Sequence, residues 1–559
     1  MKLNKVILIA FGFSGIAALI YEVVWIRPLQ FVFGSTIYTV SIIFGVFIGG
    51  LALGSWLISR YAERIKNLPQ SYALLELGIG LYGVLLLSLF GFFPDIYRAI
   101  YDLHANFYLF EFLQFVIIFI LLLIPTTLMG ATFPIIAKFY TKEKIGKGIG
   151  EIYAANNIGA IIGSFAAGFV LLPLLGVKAT IIFAGMINLV IAFIILSIVS
   201  KDLVKKVIPV SLILFLGLAY FGNYQIQNMY SAGFYRTEFP KELLNKTEFL
   251  YYKEGVSATV AVVEDPLDGA IGLLINGKGQ GSTAFSDVRV NSLLAYLPLF
   301  INPESETSLV IGLGTGTTPG HLAQATEVTT VEIEPAILEA VEYFNVLNLD
   351  VLENPKHHVV IADGRNFLLK SQDKYDIIVP EPSDPWQSFS TNLFSKEFLE
   401  LAKEHLSDDG IYVQWAPIYE MSVDDFKSFY KTFNSVFSNV VAFANVKDNE
   451  NFPIEMETTQ IILLGSDEEI FNEEKLRENF DNLFPAYQEY LGAIWINDSN
   501  DLLNLFMFSD EQMEGYAGEV ELITDDNAKL EFSTSKNVLV PAPDKVMTDI
   551  EKYLNNSAL

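Results

Sequence analysis

The sequence predicts two regions of different class: a multi-pass α-helical membrane domain and, after it, an α/β domain built on a largely parallel sheet. Apolar runs close to the membrane-spanning length of about 20 residues recur before residue 223. Beyond that point, short apolar runs that end in glycine or acidic residues alternate with helical stretches, a pattern typical of βαβ units. The chain has 559 residues and is 52% hydrophobic, so it exceeds one ordinary domain and is more apolar than a soluble average.

The membrane domain, residues 1–222, contains about seven apolar runs. They cover residues 6–26, 37–58, 72–93, 112–140, 153–175, 179–200 and 204–221. The fourth contains Pro125 and Pro134, which predict a kink or a break, and the seventh is the shortest. Small residues are frequent in these runs, as close packing between membrane helices requires.

The basic residues of the short loops predict the orientation. Twelve Lys and Arg residues fall on the side that holds the N-terminus and loop 138–147, against three on the other side. By the positive-inside rule the N-terminus is cytoplasmic in a multi-pass protein of the cell membrane. Seven full crossings would put the rest of the chain outside, where a nucleoside ligand is scarce, so the side of the α/β domain stays open.

Polar residues inside the apolar runs are costly to insert and need a reason. They are Glu22, Glu76 and the pair Asn156 and Asn157. Two interpretations stand side by side: a polar site for a cationic or polar substrate, or hydrogen bonds that join helices.

Charge and composition exclude several classes of partner and chemistry. Residues 1–222 carry 15 basic and 9 acidic side chains, whereas the remainder carries 21 and 55. So acidic a region repels nucleic acid and anionic head groups. With no cysteine, only five histidines and no H-E-x-x-H pattern, the sequence predicts no metal site.

The stretch SLVIGLGTGTTPG, residues 308–320, predicts a nucleoside site. A short strand runs into Gly312, Gly314 and Gly316, and the next strand ends in the acidic residue Glu332. Glycines allow a sharp turn close to a ligand, and an acid at this position accepts hydrogen bonds from ribose. The G-x-G-x-G spacing and the lack of a basic residue favour a sulfonium nucleoside over NAD, with a cofactor-free glycine turn as the third alternative.

The strands that follow complete a Rossmann-like domain. Residues 255–281 are turn-rich, and Asn276-Gly277 predicts a hairpin in a small antiparallel sheet. Acidic residues then follow successive strands: Asp363 with Gly364, and later Glu381 and Asp384. We expect these groups at one sheet edge, where open α/β sheets bind ligands. The predicted boundaries are 1–222, 223–300 for the linker and small sheet, 301–470 for the catalytic domain and 471–559 for a C-terminal extension.

Several segments in order resemble the spermidine-synthase-like aminopropyltransferases. They are SLVIGLGTGTT, TTVEIEP, IADGRNFL and YDIIVPEPSDPW, preceded by INGKGQGSTAFSDVRVNSLLAYLPLF. SGIAALIYEVVWIR, IPTTLMGATFP and VQWAPIYEMS look like the branch of that family in which a major-facilitator-like helical region is fused to the synthase domain. The resemblance covers most of residues 10–535. It implies a fold similar to class I methyltransferases and spermidine synthases.

The resemblance also implies roles for individual residues. Glu332 would bind ribose, Asp363 and Gly364 the adenine edge, and Gly312, Gly314, Thr315 and Gly316 the sulfonium-bearing tail. Thr315 replaces an acid that holds the aminopropyl amine in soluble members, and Val290 and Tyr296 replace a Tyr and a His. Glu381 and Asp384 stand where the family has its base, while Gln414, Tyr419 and Tyr296 would line the acceptor side.

The expected activity is transfer of an aminopropyl group from decarboxylated S-adenosylmethionine to an amine such as a polyamine. Methyl transfer from S-adenosylmethionine to a lipid, glycan or small molecule is the alternative, favoured by Thr315. A polyamine-binding or transport protein without turnover is the third hypothesis. Expected partners are membrane lipid and the small acceptor, with a homodimer left open.

Overall fold

A computed structural model describes residues 3–103, 106–141, 145–222, 246–381, 384–387, 390–445, 460–537 and 543–557. Part of the predicted basic loop (142–144), most of the predicted linker (223–245) and two residues of the predicted catalytic motif, Pro382 and Ser383, lie outside these ranges. The chain divides into two compact units, one of residues 1–247 with 253–259 and one of residues 248–252 with 260–559.

The first unit is helical. Its helices are α1 (Leu3–Phe33), α2 (Ile37–Tyr61), α3 (Leu68–Phe90), α4 (Phe93–Tyr101), α5 (Phe107–Tyr140), α6 (Ile145–Ala166), α7 (Leu172–Val199) and α8 (Lys201–Phe221). Among the described residues, six helical stretches are long and apolar enough to cross a membrane. The predicted multi-pass helical domain is therefore present, and α5 continues through Pro125 and Pro134 as one helix.

One of the six stretches contains two of the predicted runs. Residues 145–199 form a single stretch of 55 residues, which at 1.5 Å per residue is about 80 Å, against about 30 Å for a hydrocarbon core. Gly176, with φ 73° and ψ 175°, interrupts the helical backbone. Glycine adopts a positive φ at little cost. The break falls between the predicted runs 153–175 and 179–200.

Small residues let the helices of this unit approach closely, as predicted. A Cβ atom at Gly159 of α6 would overlap the carbonyl oxygen of Gly12 in α1. A Cβ at Gly130 of α5 would likewise overlap the backbone of Leu51 in α2. Helices that cannot gain from the hydrophobic effect inside lipid depend on such backbone-to-backbone packing.

The buried carboxyl of Glu76 joins three helices. Its side chain is fully buried, the Ser14 hydroxyl donates to Oε1 at 2.6 Å, and the Asn188 amide donates to Oε2 at 2.7 Å. Asn156 donates to the Phe11 carbonyl at 3.2 Å. Of the two interpretations given by the sequence, these contacts support helix–helix hydrogen bonding for Glu76 and Asn156.

The second unit contains two sheets. A four-stranded antiparallel sheet has the order β1-β2-β3-β4, and an eight-stranded sheet has the order β12-β10-β11-β9-β8-β5-β6-β7. The strands are β1 (Glu248–Glu254), β2 (Thr259–Glu264), β3 (Ile271–Ile275), β4 (Lys278–Ser282), β5 (Thr307–Ile311), β6 (Glu327–Glu332), β7 (His357–Ile361), β8 (Tyr375–Pro380), β9 (Leu406–Ala416), β10 (Asn439–Ala444), β11 (Ile461–Ser466) and β12 (Phe506–Ser509).

Helices flank the large sheet on both faces. They are α9 (Phe285–Ile301), α10 (Thr317–Leu322), α11 (Ile337–Ala340), α12 (Asn345–Asn348), α13 (Gly364–Lys370), α14 (Lys396–Glu404), α15 (Val423–Asn434), α16 (Glu473–Ala493), α17 (Ser499–Leu503), α18 (Lys529–Asn537) and α19 (Pro543–Ser557). Alternate residues of β5 enter different cores: Leu309 and Ile311 pack on one face, and Val310 packs on the other. Burial on both faces explains why the central strands are continuous apolar runs.

Strand pairing confirms the Rossmann-like architecture. Strands β5, β6, β7, β8 and β9 pair in parallel, whereas β10, β11 and β12 add antiparallel strands at one side. Because β12 (Phe506–Ser509) pairs with β10, the sheet extends past residue 470, where the sequence had placed the end of the catalytic domain.

The predicted hairpin of the small sheet is also present. Asn276 and Gly277 connect β3 to β4 with φ values of 49° and 88°, the backbone that a two-residue turn of right-handed twist requires. This hairpin carries β4 over the glycine loop: a Cβ at Gly281 would lie 3.0 Å from Thr315 Cγ2.

Candidate nucleoside and acceptor site

The predicted site residues gather at the point where the strand order of the large sheet reverses. From β5 the chain moves to β6 and β7 on one side, then returns to β8 on the other side. The glycine loop follows β5, and Glu381 follows β8 directly. The Glu381 amide donates to the Ile311 carbonyl at 2.8 Å, so the two strand ends are adjacent. Open α/β sheets bind ligands in this crevice.

The three loop glycines are required by backbone geometry. Gly312, Gly314 and Gly316 have φ values of 101°, 55° and 76°, a region that side-chain-bearing residues rarely adopt. A Cβ at Gly316 would also lie 2.8 Å from Val341 Cγ2 and 2.9 Å from Val351 Cγ1. The loop therefore turns sharply and leaves its backbone amides close to the crevice. Thr315, between them, is buried, and its hydroxyl is 2.9 Å from that of Thr317.

Backbone amides hold the Glu332 carboxylate in place. Leu313 donates to Oε2 at 2.8 Å and Glu334 donates to Oε1 at 2.8 Å. Burial raises the pKa of Glu332, and these amides oppose the shift. Since a carboxylate oxygen accepts more than one hydrogen bond, Glu332 stays able to accept from two neighbouring hydroxyls beside the loop.

Asp363 and Gly364 lie at the next strand end. Asp363 caps α13, and its Oδ1 accepts from the Asn366 amide at 2.8 Å. The residue is exposed, which leaves its second carboxylate oxygen accessible. Gly364 packs against Ile311, whose side chain a Cβ would overlap. Gly364 therefore contacts a residue of β5. The polar group at the end of β7 is the carboxylate of Asp363.

Glu381 has the environment of a base that works near neutral pH. Its Oε1 atom is buried without a hydrogen-bond partner among the described residues. Burial raises the pKa of Glu381 to about 7, against an opposing hydrogen bond from Thr318. Its other oxygen lies 3.5 Å from the position of a Cβ on Gly314. The carboxyl group therefore lies against the glycine loop.

Asp384 belongs to a second group of charges. The Tyr419 hydroxyl donates to its Oδ1 at 3.1 Å, and the Gln387 amide donates to Oδ2 at 3.3 Å. Lys278, the first residue of β4, forms an ion pair with Asp384 and lies 3.5 Å from the Glu420 carboxylate. We define the acid pair as Asp384 and Glu420.

Two residues predicted for the acceptor side make their hydrogen bonds inside the protein. Gln414 is fully buried; its Oε1 accepts from Tyr412 at 3.0 Å and its amide donates to the Leu393 carbonyl at 3.3 Å. Tyr296 is also fully buried, with its hydroxyl 2.7 Å from Nδ1 of His321. Both side chains are thus hydrogen-bonded within the core, and their place on the acceptor side stays a prediction. Tyr419 does reach the site.

Sequence reasoning missed Lys278 and Glu420. Both signals were present: a lysine directly after a predicted Asn-Gly turn, and an acid in the segment VQWAPIYEMS. Neither is distinctive alone, since a lysine after a turn is ordinarily solvated. In the part of the chain that the structure describes, no group of three or more metal-ligating side chains is placed to hold an ion.

The fold and the glycine loop define a domain of the Rossmann-like class. Residues 287–447 match the family model of the Spermine/spermidine synthase domain. The chain thus combines a stretch similar to the spermine/spermidine synthase domain with a preceding helical region that has six membrane-length stretches in its described part. The predicted resemblance to the membrane-fused branch is confirmed at this level.

Relatives of known name agree with this assignment. Polyamine aminopropyltransferase 2 of Aquifex aeolicus is 22% identical over 422 residues, which cover 74% of this chain and 80% of the relative. The polyamine aminopropyltransferase of Oceanobacillus iheyensis is 23% identical over 444 residues, covering 76% and 80%. That of Methanocaldococcus jannaschii is 29% identical over 180 residues, covering 31% and 60%. These relatives are enzymes that transfer an aminopropyl group.

Solved structures were also matched. A spermidine synthase in complex with the transition-state analogue AdoDATO is 17% identical, with a TM-score of 0.37 and coverage of 54% of this chain and 88% of the other. The spermidine synthase of Thermotoga maritima is 17% identical, with a TM-score of 0.35 and coverage of 54% and 87%.

Proposed function

We propose that this protein is a membrane-anchored transferase that moves an aminopropyl group from decarboxylated S-adenosylmethionine to an amine. The observation that carries the proposal is the Glu381 carboxyl, which lies against the glycine loop with a buried, unpartnered Oε1 and a pKa raised to about 7 by burial. A base of that pKa is matched to proton removal at neutral pH. The relatives named above add support through their activity.

The donor would bind along the strand ends. Glu332 would accept hydrogen bonds from the ribose hydroxyls, the Asp363 carboxylate would meet the adenine edge, and the loop Gly312–Gly316 would hold the sulfonium-bearing tail. This arrangement fits the residues present, because the three glycines with positive φ hold a tight turn at the strand end and Glu332 is already oriented by backbone amides. No metal enters the proposal.

The chemical step requires alignment and one proton transfer. The lone pair of the acceptor nitrogen attacks the carbon next to sulfur, the new C–N bond forms, and the C–S bond breaks with its electrons going to sulfur. The proton of the nitrogen passes to the Glu381 carboxylate, and methylthioadenosine leaves as a neutral thioether. Because the sulfonium carbon is already activated, proximity and orientation supply most of the rate.

Methyl transfer from S-adenosylmethionine is the second candidate, and one observation favours it. Thr315, in the glycine loop, supplies a hydroxyl bonded to Thr317 where an acid would attract the amino group of an aminopropyl tail. A loop without that charge accommodates either donor.

The donor experiment separates these candidates. Detergent-extracted full-length protein is incubated with each donor and a panel of amines, lipids and glycans, and products are identified by mass spectrometry. Aminopropylated product with methylthioadenosine supports the proposal, and methylated product with S-adenosylhomocysteine supports the second candidate. Bound nucleoside without any product would contradict both and favour a polyamine-binding or transport role.

We also propose that the N-terminus and the basic loop before α6 are cytoplasmic in the cell membrane, from the distribution of basic residues. The chain has no cysteine, so single cysteines can be introduced cleanly. Cysteine at the exposed Lys147 should resist an impermeant thiol reagent in intact cells, whereas cysteine at the exposed Leu103 should react. The reverse pattern would overturn the orientation, and cysteine at Gln372 decides the side of the synthase domain.

A further inference from the structure

The ammonium group of Lys278 lies within the acceptor half of the site. Its side chain is only 14% exposed and pairs with the carboxylate of Asp384, which is 2% exposed, and with that of Glu420, 5% exposed, at 3.5 Å. The ammonium also lies 5.5 Å from the ring centre of Trp386, within cation–π range. Carboxylates together with an aromatic face form the kind of surroundings that hold an alkylammonium ion.

The remaining oxygens of the acid pair are also satisfied from within the protein. The Trp386 indole donates to Glu420 Oε2 at 2.7 Å, and Lys278 faces Oε1. On Asp384, Tyr419 donates to Oδ1, while Gln387 and Lys278 serve Oδ2. With Lys278 in place, every carboxylate oxygen of the acid pair has a donor. A second ammonium ion brought by a substrate would have to share these oxygens with Lys278, whose like charge repels it.

A primary alkylamine and a lysine side chain end in the same group. A diamine acceptor presents two such groups: one reacts as the free amine, and the other needs a carboxylate to hold it as a cation. The Lys278 side chain reaches the acid pair from the β3–β4 hairpin. The same hairpin covers the glycine loop, where Gly281 lies against Thr315. Lys278 thus belongs to the same hairpin that lies against the glycine loop.

We infer that Lys278 occupies the subsite of a distal ammonium group, so that the acceptor of this enzyme carries one nucleophilic amine and no second cation. The inference rests on the proposed function, since it narrows the acceptor class of that site. Lys278 is then the specificity-determining residue: its ammonium group takes the place of a substrate cation beside the acid pair and leaves Glu381 as the base for a monoamine.

Two amines of equal chain length test this inference. 1,4-Diaminobutane and n-butylamine are titrated calorimetrically into detergent-extracted full-length protein, with and without saturating methylthioadenosine. For the wild type we expect the two affinities to agree within about threefold. In Lys278→Ala, the emptied acid pair should bind the distal ammonium, so the diamine should bind at least about tenfold more tightly than butylamine. Lys278→Arg keeps the cation and should behave as the wild type.

A diamine preference of about tenfold in the wild type would overturn the inference. So would the absence of any preference in Lys278→Ala, or the failure of both amines to bind any variant while methylthioadenosine binds. If Lys278→Ala does not fold, the wild-type ratio and the neutral Lys278→Gln variant still decide. If methylthioadenosine does not bind the wild type, that result would count against the nucleoside site. The amine titrations without nucleoside would still test whether Lys278 occupies the subsite of the distal ammonium group.

Discussion

The proposed donor half and the proposed acceptor half of the site are built in different ways. The donor half consists of the ends of neighbouring strands: three glycines with positive φ after β5 and a carboxylate at the end of β6 held by backbone amides. The acceptor half is built from side chains of separate segments, with Lys278 on the small sheet, Asp384 after β8 and Glu420 after β9.

This difference indicates which part of such a site tolerates amino-acid substitutions. A backbone-made donor pocket fits one nucleoside and tolerates few substitutions, because every residue of the turn has a fixed φ. A side-chain-made acceptor pocket changes its substrate when one charge is added or removed. Thr315, which departs from the family pattern, and Lys278 fall where substrate groups beyond the nucleoside would lie.

The largest effect is expected at the residue between the halves. Glu381→Gln should lower turnover by about 10²–10⁴-fold, the usual contribution of a positioned base, with methylthioadenosine affinity nearly unchanged. Steady-state rates and calorimetry measure the two effects. Glu306→Gln, at the opposite edge of the sheet, is the matched control and should keep full turnover. Full turnover in Glu381→Gln would place the base elsewhere.

The same carboxyl predicts opposite pH trends for activity and stability. Its folded pKa of about 7 exceeds the ordinary 4.5, so turnover should rise with pH up to about 7 and then level. Between pH 4.5 and about 7 the folded state keeps a proton on Glu381 that the unfolded state has lost. The contribution of Glu381 to stability is therefore present at low pH and is lost as pH rises through about 7. Glu381→Gln should therefore raise the melting temperature at pH 8. An unchanged melting temperature there would contradict the buried, raised-pKa carboxyl.

The next effect concerns the donor half alone. Glu332→Ala removes a charged acceptor of ribose hydroxyls and should weaken methylthioadenosine binding by about 100-fold or more, equivalent to roughly 3 kcal/mol. Glu327→Ala, an exposed acid at the other end of the same strand, is the control. Equal affinities in these two variants, measured by calorimetry, would remove Glu332 from the nucleoside site.

A smaller effect tests the backbone of the loop. Gly316→Ala forces a side chain into a φ of 76° and against Val341 and Val351, which should cost about 2 kcal/mol of stability. At Gly279 of β4 an added Cβ meets nothing within 4 Å, so Gly279→Ala should leave the melting temperature within about one degree. If both variants melt alike, the loop does not need its glycine for conformation.

The smallest effect is expected in the acceptor half. Tyr419→Phe removes one neutral donor to Asp384, worth about 1 kcal/mol, because Lys278 and Gln387 continue to hold that carboxylate. Acceptor KM should rise about threefold to fivefold with methylthioadenosine affinity unchanged. A change in nucleoside affinity of the same size would show that the two halves are not independent.

The sequence by itself determined the helical region, the Rossmann-like sheet, the glycine loop and the acids at the strand ends. Each depends on local information: apolar length fixes a membrane helix, and the G-x-G-x-G turn fixes where the chain reverses. The break at Gly176 and the Asn276-Gly277 hairpin were predictable for the same reason.

Only the tertiary structure decided which contacts these polar side chains make. Gln414 and Tyr296 are as polar as Tyr419, yet core contacts hold the first two and the ion-paired group holds the third. The meeting of Lys278 with Asp384 and Glu420 joins three distant segments, and β12 joins the sheet beyond the expected domain end. Local patterns do not encode such pairs, because burial of a charge is favourable only once its distant partner has arrived.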